Sequence, residues 1–565
     1  MVSIPGGSEP VKVTGLSFTY RGSDGKALDG INFSQRPGEF VAIMGPTGAG
    51  KSTFCRCLNG IIPNLVKGDL QGEIRILGHN LRGKRVQEIA WAVGLVFQDF
   101  ESQLFSTNVE LEVAFGPENF CLPRGEIAER VATSLAMVGL TGLGQRDPST
   151  LSGGEKQRLA IASVLAMQPR VLVMDEPTTD LDPVGKREVF GIIKGLRNRI
   201  DCIVVEHETE ELRSADRIVI INEGRILAEG RPSEIFANLK FLEDNGIRPL
   251  QIGVLMNRLG VDEEVLTWQQ AEEVLKDEGR IFDEGRFEIL KGKDLPVSGT
   301  GEVIIDVGDL YHSYDGASWA LNGLSLKVKK GEFVAVVGAN GCGKTTLVKH
   351  FNGLLTPTRG KVEVLGRDTR RWRISELGRK IGYVFQNPDQ QIFADTLWDE
   401  VSFGPKNFGF SDTEIATRVK ETLKLVGLEG LEDADPFSLP RGERQKLAIA
   451  SVLSFGPEVL ILDEPTTGLD YCSQRSVLEL LKRLNEAGHT IIIVTHSMWV
   501  VAGYARRCVV MKEGRIISDG TTREVFSDEE LLASASIEVP EIVKLGNRFG
   551  GATLSVNELC FCLGS

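Results

Sequence analysis

Two stretches of this sequence hold residue types at a spacing suited to phosphate chemistry. Gly45-Pro46-Thr47-Gly48-Ala49-Gly50-Lys51-Ser52-Thr53 and Gly338-Ala339-Asn340-Gly341-Cys342-Gly343-Lys344-Thr345-Thr346 both fit the pattern G-x-x-x-x-G-K-[ST]. Glycines at these positions let successive backbone N–H groups face inward around phosphate oxygens. Lys51 or Lys344 then reaches the β and γ phosphates, and the hydroxyl of Ser52 or Thr345 ligates Mg²⁺. The helix that follows adds the positive end of its dipole. A single match could be an ordinary glycine-rich turn, but here two occur, each after an apolar strand.

Asp175 and Asp463 each end a run of apolar residues, which would carry the carboxylate to a sheet edge beside the phosphate loop, where it suits a Mg²⁺ partner through water. Glu176 and Glu464 follow directly and are candidates to orient or deprotonate an attacking water. Without a phosphate loop, such a pair would more simply cap the next helix. Gln98 and Gln386 also end strands, where a neutral amide can touch Mg²⁺ or water without adding charge. His207 and His496 close two further apolar strands, and their placement after the Asp-Glu strand favours a γ-phosphate contact over a buried structural role. Leu151-Ser152-Gly153-Gly154-Glu155 opens an apolar helical stretch. A Ser hydroxyl and bare glycine amides at a helix N-terminus make an anion site, although the same residues could form only a capping box.

These residues must be positioned by something, and the pattern is α/β. Candidate strands at Val41 to Met44, Val93 to Phe97, Val171 to Met174 and Cys202 to Val205 alternate with longer helical stretches. They return at Val334 to Val337, Ile381 to Phe385, Val459 to Leu462 and Thr490 to Val494. The second half thus repeats the first at an offset of roughly 290 residues, with order and spacing kept. Each motif falls at or just past the carboxyl end of a strand, where open α/β sheets bind ligands, so one crevice per half is expected. Between the halves, residues 236 to 300 carry acidic clusters such as Asp262-Glu263-Glu264 and Glu272-Glu273, and Val265 to Leu275 reads as a short amphipathic helix.

A chain of 565 residues is too long for one ordinary core. Hydrophobic residues at 42% and charged residues at 25% argue against disorder and fibrous repeats. The net charge of −14 weighs against a nucleic-acid surface. The longest apolar runs have strand length and fall short of a membrane-spanning helix, and no apolar h-region follows the first residues, so a cytoplasmic chain is expected. Nine cysteines fit reduced thiols; Cys55 with Cys57, and Cys560 with Cys562, form close pairs that lack the second pair or His cluster a metal site needs.

Together these residues resemble the ATP-binding-cassette ATPases over nearly the whole chain, as two cassettes. Phosphate loop, Gln, Leu-Ser-Gly-Gly-Glu, Asp-Glu, Thr179-Asp180-Leu181-Asp182 and His follow in the family's order, and Thr467-Gly468-Leu469-Asp470 stands at the matching place in the second half. The resemblance implies two tandem P-loop domains, each a mostly parallel sheet with helices, an N-terminal antiparallel β portion and a helical subdomain. Domains are expected at 8–235 and 301–530, with a connecting acidic subdomain at 236–300 and a tail at 531–565. It also implies MgATP hydrolysis, with Tyr20 and Tyr314 stacking on adenine and each phosphate loop facing the other cassette's Leu-Ser-Gly-Gly-Glu helix.

The second cassette departs from the family here, because Leu439-Pro440-Arg441-Gly442-Glu443 replaces that motif. Two unequal sites are implied. One pairs Lys344, Asp463, Glu464 and His496 with Ser152, Gly153 and Gly154; the other pairs Lys51, Asp175, Glu176 and His207 with Gly442. Arg441 could clash with the nucleotide or add charge to its γ-phosphate. A similar string, Leu122-Pro123-Arg124-Gly125-Glu126, is expected to be an unrelated loop.

The segments from Phe97 to Asn119 and from Phe385 to Asn407 resemble the corresponding region of energy-coupling-factor transporter ATPases, importers of vitamins and of nickel or cobalt. This implies a peripheral protein at the cytoplasmic face of the membrane. Its partners would be a transmembrane coupling subunit and a separate substrate-capture membrane protein. The rival is a soluble twin-cassette ATPase acting on ribosomes or nucleic acid, which would call for a basic helical linker and two intact Leu-Ser-Gly-Gly-Glu motifs.

Overall fold

Runs of β-branched residues flanked by amphipathic stretches fold, in the computed structural model, into two units that divide between Gly253 and Val254. Residues 9–179, 181–197, 199–261, 263–294 and 301–564 are described. Asp180, Asp262 and the outer limits of the expected domains at 8, 295–300 and 565 lie outside them.

The first unit has a six-stranded sheet in the order Arg225–Gly230, Arg217–Asn222, Phe40–Met44, Asp201–Val205, Val171–Asp175, Val93–Val96. Only the Arg225–Gly230 edge runs antiparallel. Val171, Leu172, Val173 and Met174 are wholly buried, as expected for parallel strands covered on both faces. A second, antiparallel sheet has the order Lys26–Ser34, Val11–Tyr20, Gly68–Ile76, His79–Asn80. Leu16, Phe18 and Phe33 from this sheet join Phe54 and Cys55 of the helix Lys51–Leu58 and Val41 and Ile43 of the parallel sheet in one core. Phe33 and Phe54 meet edge to face at 5.4 Å. Cys57 lies buried on that same helix, beside Cys55.

The second unit repeats this plan. Its parallel sheet runs Ile381–Val384, Val459–Asp463, Thr490–Val494, Phe333–Val337, Arg507–Lys512, with Arg515–Thr521 antiparallel at the edge. Its antiparallel sheet runs Leu321–Lys329, Val303–His312, Arg359–Val364, Arg367–Asp368. In each unit three helices form a separate lobe: Val109–Asn119, Arg124–Met137 and Gly153–Leu165, and then Leu397–Asn407, Asp412–Val426 and Arg441–Leu453.

Two local expectations are corrected. Leu122 to Glu126 is only in part a loop: Leu122 and Pro123 precede the helix Arg124–Met137, which takes in the other three residues, and Pro123 stands at its N-cap, where a missing donor costs nothing. The connecting helix begins at Trp268 instead of Val265, because the Thr267 hydroxyl accepts from the Gln270 amide while the Gln270 side chain returns to the Thr267 amide.

The connecting stretch has a packing partner that its own sequence does not reveal. Trp268–Asp277 packs on Glu541–Phe549, and Glu284–Lys293 on Val556–Leu563. The helices Pro232–Ala237, Leu239–Asp244 and Gln251–Arg258 recur as Thr522–Ser527, Glu529–Ser534 and Glu541–Phe549, so the repeat continues beyond the cassettes. The pairing is reciprocal: Arg258 of the first copy bonds Asn557, and Arg548 of the second lies 5.5 Å over the Trp268 ring.

Candidate nucleotide-binding site

In each unit the phosphate loop joins the central strand to a helix, and its first glycine leaves no room for a Cβ without a shift of the backbone beside it. Gly45 has φ +150, and a Cβ there would fall 1.9 Å from the Ile221 carbonyl oxygen; at Gly338, φ +153, it would fall 2.3 Å from that of Met511. The loop is therefore bare backbone wrapped round a lysine. Lys51 Nζ donates to the Gly45 and Pro46 carbonyls at 2.8 Å, and Lys344 Nζ to those of Gly338 and Ala339 at 2.9 Å. Both lysines are buried. Gly45→Ala or Gly338→Ala should add strain of about 1–3 kcal/mol. The expected result is roughly tenfold weaker retention of a fluorescent ATP analogue at that loop, read by equilibrium titration.

The acidic pair sits beside each loop. Ser52 Oγ donates to Asp175 Oδ1 at 3.1 Å. Burial, reinforced by Glu176 next to it, pushes the Asp175 carboxyl up to about 6. Glu176 Oε1 lies 2.9 Å from His207 Nε2, and Glu176 Oε2 accepts from Gln98 Nε2 at 2.8 Å and from Thr179 Oγ1 at 3.3 Å. Burial works to raise Glu176, but the His207 ring and Lys51 outweigh it and hold the carboxyl down to about 2. In the second unit His496 offers Nδ1 to Glu464 at 2.9 Å, and this ring with Lys344 likewise lowers Glu464 against its burial. Both glutamates adopt left-handed backbone, φ +50 at Glu176 and +48 at Glu464. Such a conformation costs a non-glycine residue free energy and persists where surrounding contacts over-determine it. Here those contacts aim the carboxylate at its histidine.

The predicted residues therefore assemble cassette by cassette. Tyr20 Oη lies 2.8 Å from Thr53 Oγ1 and Tyr314 Oη 3.1 Å from Thr346 Oγ1, which ties each candidate adenine-stacking ring to its phosphate loop. Gln98, Asp175, Glu176 and His207 meet in the first unit, and Asp463, Glu464 and His496 in the second. Gln386 ends the strand equivalent to that of Gln98. Ser152 stands apart from this group, capping Gly153–Leu165 in a reciprocal box with Glu155, and Gly154 lies against Gly185. Pro440 provides no side-chain cap in the second unit, and Gly442 lies against Ser473.

Three contacts lie outside the motifs. Tyr383 Oη donates to Asp463 Oδ2 at 2.8 Å, where the first unit has Leu95. Buried Glu206 accepts from Thr178 Oγ1 at 2.5 Å, where the second unit has Thr495. Arg441 places its guanidinium against Gly468 of its own cassette, so close that a Cβ at 468 would meet it at 2.7 Å. The only hint in the sequence was a mismatch between the repeats at each matched position.

Glycine cradle, lysine, hydroxyl with aspartate, and strained glutamate with histidine, found twice, form a set of oxygen and nitrogen groups suited to a triphosphate with a hard cation. Comparison with known proteins agrees. A family model described as ABC transporter matches residues 28–179 and 321–467. A protein of Caldanaerobacter subterraneus subsp. tengcongensis, described as an ABC transporter ATP-binding protein, is 50% identical over 97% of this chain and 98% of its own length. The chain belongs to the ABC transporter family. Another such ATP-binding protein, from Methanosarcina acetivorans, is 40% identical over 94% of this chain and 89% of its own. A solved structure of cbiO1 from Clostridium perfringens, part of the ABC transporter complex cbiONQ, has 39% identity, covers 43% of this chain and 97% of its own, and gives a TM-score of 0.39. ATP with Mg²⁺ is what the ABC family uses generally, and its ATPases hydrolyse ATP. Among the described residues no helix is long and apolar enough to cross a membrane.

Proposed function

We propose that the chain is the MgATP-hydrolysing subunit of a membrane importer of energy-coupling-factor type, for a vitamin or a transition-metal ion. It works at the cytoplasmic face with a transmembrane coupling subunit and a separate substrate-capture membrane protein, and not on nucleic acid. The observation that carries this reading is an aromatic pair presented twice to solvent beside the Gln-bearing strand. Phe105 and Phe115 meet edge to face at 4.6 Å with Phe105 63% exposed; Phe393 and Phe403 meet at 4.7 Å with Phe393 60% exposed. Each pair is held by a buried glutamate. Glu112 accepts from the Phe105 and Ser106 amides at 3.0 and 2.7 Å, and Glu400 from those of Phe393 and Ala394 at 3.1 Å. Rigid, repeated apolar surface of this kind suits a docked partner.

Within this proposal, bound Mg²⁺ supplies charge neutralisation on the phosphates, and the chain's own groups do the rest. The loop amides and Lys51 or Lys344 would hold the phosphates, Ser52 with Asp175 and Thr345 with Asp463 would hold the cation, and Gln98 and Gln386 would serve it as neutral partners. Glu464 takes the proton of the attacking water, with His496 fixing its carboxylate and reading the γ-phosphate; Glu176 and His207 stand in the same places in the first cassette. Lys344, Asp463, Glu464 and His496 work with Ser152, Gly153 and Gly154, and Lys51, Asp175, Glu176 and His207 with Gly442. Because Gln98 also bonds Glu176, a change at the carboxylate can move the segment that ends in Phe105.

The test is Phe105→Asp with Phe393→Asp in cells that also express the membrane subunits. Each buried Phe contributes about 1.5–3 kcal/mol to docking, so membrane recovery should fall by roughly tenfold or more while the melting temperature of the purified chain holds. Undiminished recovery would sink the docking assignment.

A further inference from the structure

We infer that Tyr383 is a positioning residue for the cation at the second phosphate loop, a role the first loop lacks. The inference rests on the proposal that Asp463 serves Mg²⁺. Tyr383 lies on the edge strand Ile381–Val384, whose parallel register sets Tyr383 opposite Ile461 and Val384 opposite Leu462, and so brings the phenol alongside the strand end that bears Asp463. Its hydroxyl donates to Asp463 Oδ2 at 2.8 Å, while the Thr345 hydroxyl hydrogen-bonds the same carboxylate. Asp463 is buried, and the Tyr383 ring itself meets Phe385 edge to face at 5.2 Å.

A carboxylate that has a phenol donor in addition to the loop hydroxyl is held against swinging about its own bond more firmly than one with the loop hydroxyl alone. Partners of this kind orient a metal's ligands, and losing one typically costs about 10–100-fold in metal affinity. At the same register the first unit has Leu95, a side chain with no donor; the bond from Ser52 to Asp175 is the counterpart of Thr345's bond to Asp463, so the phenol is an addition of the second unit. The two loops therefore differ in how firmly the aspartate is set, independently of the replaced Leu-Ser-Gly-Gly-Glu motif. The phenol could merely satisfy a buried polar tip, and that role would affect stability without touching the cation.

The experiment uses the full chain carrying Lys51→Ala, so that a fluorescent ATP analogue reports on the second loop. Mg²⁺ is titrated into protein and analogue, and binding in EDTA is measured beside it. Tyr383→Phe should raise the half-saturating Mg²⁺ concentration by about tenfold and leave affinity in EDTA within about twofold. Tyr383→Leu, which copies the first unit, should do the same. An Mg²⁺ midpoint that stays put, even with a lowered melting temperature, overturns the inference. Asp463→Asn separates the two levels. If it moves the midpoint and Tyr383→Phe does not, only the tyrosine's role falls; if Asp463→Asn moves nothing, the aspartate's role falls and takes the tyrosine's with it.

Discussion

Glu464→Gln should lower ATP turnover of the chain assembled with its proposed membrane subunits by about a hundredfold or more, the range expected when a general base is lost, whereas Glu176→Gln should lower it by less than about threefold. The geometry around the two carboxylates is nearly the same: left-handed backbone, burial, and a histidine nitrogen at 2.9 Å in both units. Local geometry alone would therefore predict equal losses. Under the proposed pairing, the inequality would come from the helix start assigned to each site. Ser152 presents a hydroxyl and two glycine amides, while Pro440 lacks a backbone donor and Arg441 is turned onto Gly468. Glutamine keeps the shape and removes the base, so nucleotide binding should persist in both variants. Equal losses in a steady-state phosphate-release assay would refute the assignment of unequal sites.

Arg523→Ala should destabilise the second unit by about 3–5 kcal/mol, the cost of breaking a buried ion pair by removing one partner. Its side chain is 5% exposed and binds Asp294 from the connecting stretch, Glu558 at 2.9 and 3.1 Å from the last helix, and the Ala552 carbonyl. Phe287 lies beneath it at 5.6 Å. Burial works against the charge, but Glu558 and Asp294 outweigh it and hold the guanidinium firmly protonated. With alanine, two carboxylates and a carbonyl lose their shared donor. Arg523→Lys should recover only part of the loss, because an ammonium cannot serve two carboxylates with a planar fork. Urea unfolding with limited proteolysis of the 268–294 and 541–564 helices checks this. A change below about 1 kcal/mol would reduce Arg523 to an ordinary surface pair.

Particular residues show how far the sequence could be read. Thr490–Val494 forms the strand expected of it, and the other candidate strands hold to within a residue at each end, because wholly apolar β-branched runs of that length have few other places to go. Apolar periodicity alone starts the connecting helix at Val265, three residues ahead of Trp268, because it carries no trace of the cap that Thr267 provides. Tyr383 is not legible as a site residue, because a tyrosine in an apolar strand suggests packing; only the register beside Val459–Asp463 shows a carboxylate within reach of its hydroxyl.

The sequence by itself determined the tandem cassette family and the composition of each phosphate cradle. These are short-range properties: a loop of nine residues and an acidic pair at a strand end carry their chemistry in consecutive backbone geometry. Only the tertiary structure decided that Tyr383 grips Asp463, that Arg441 faces Gly468, and that Arg523 ties the connecting stretch to the final helix. Those contacts join residues distant along the chain, and each side chain alone suits a dozen bland roles. Strand register and helix packing select among them.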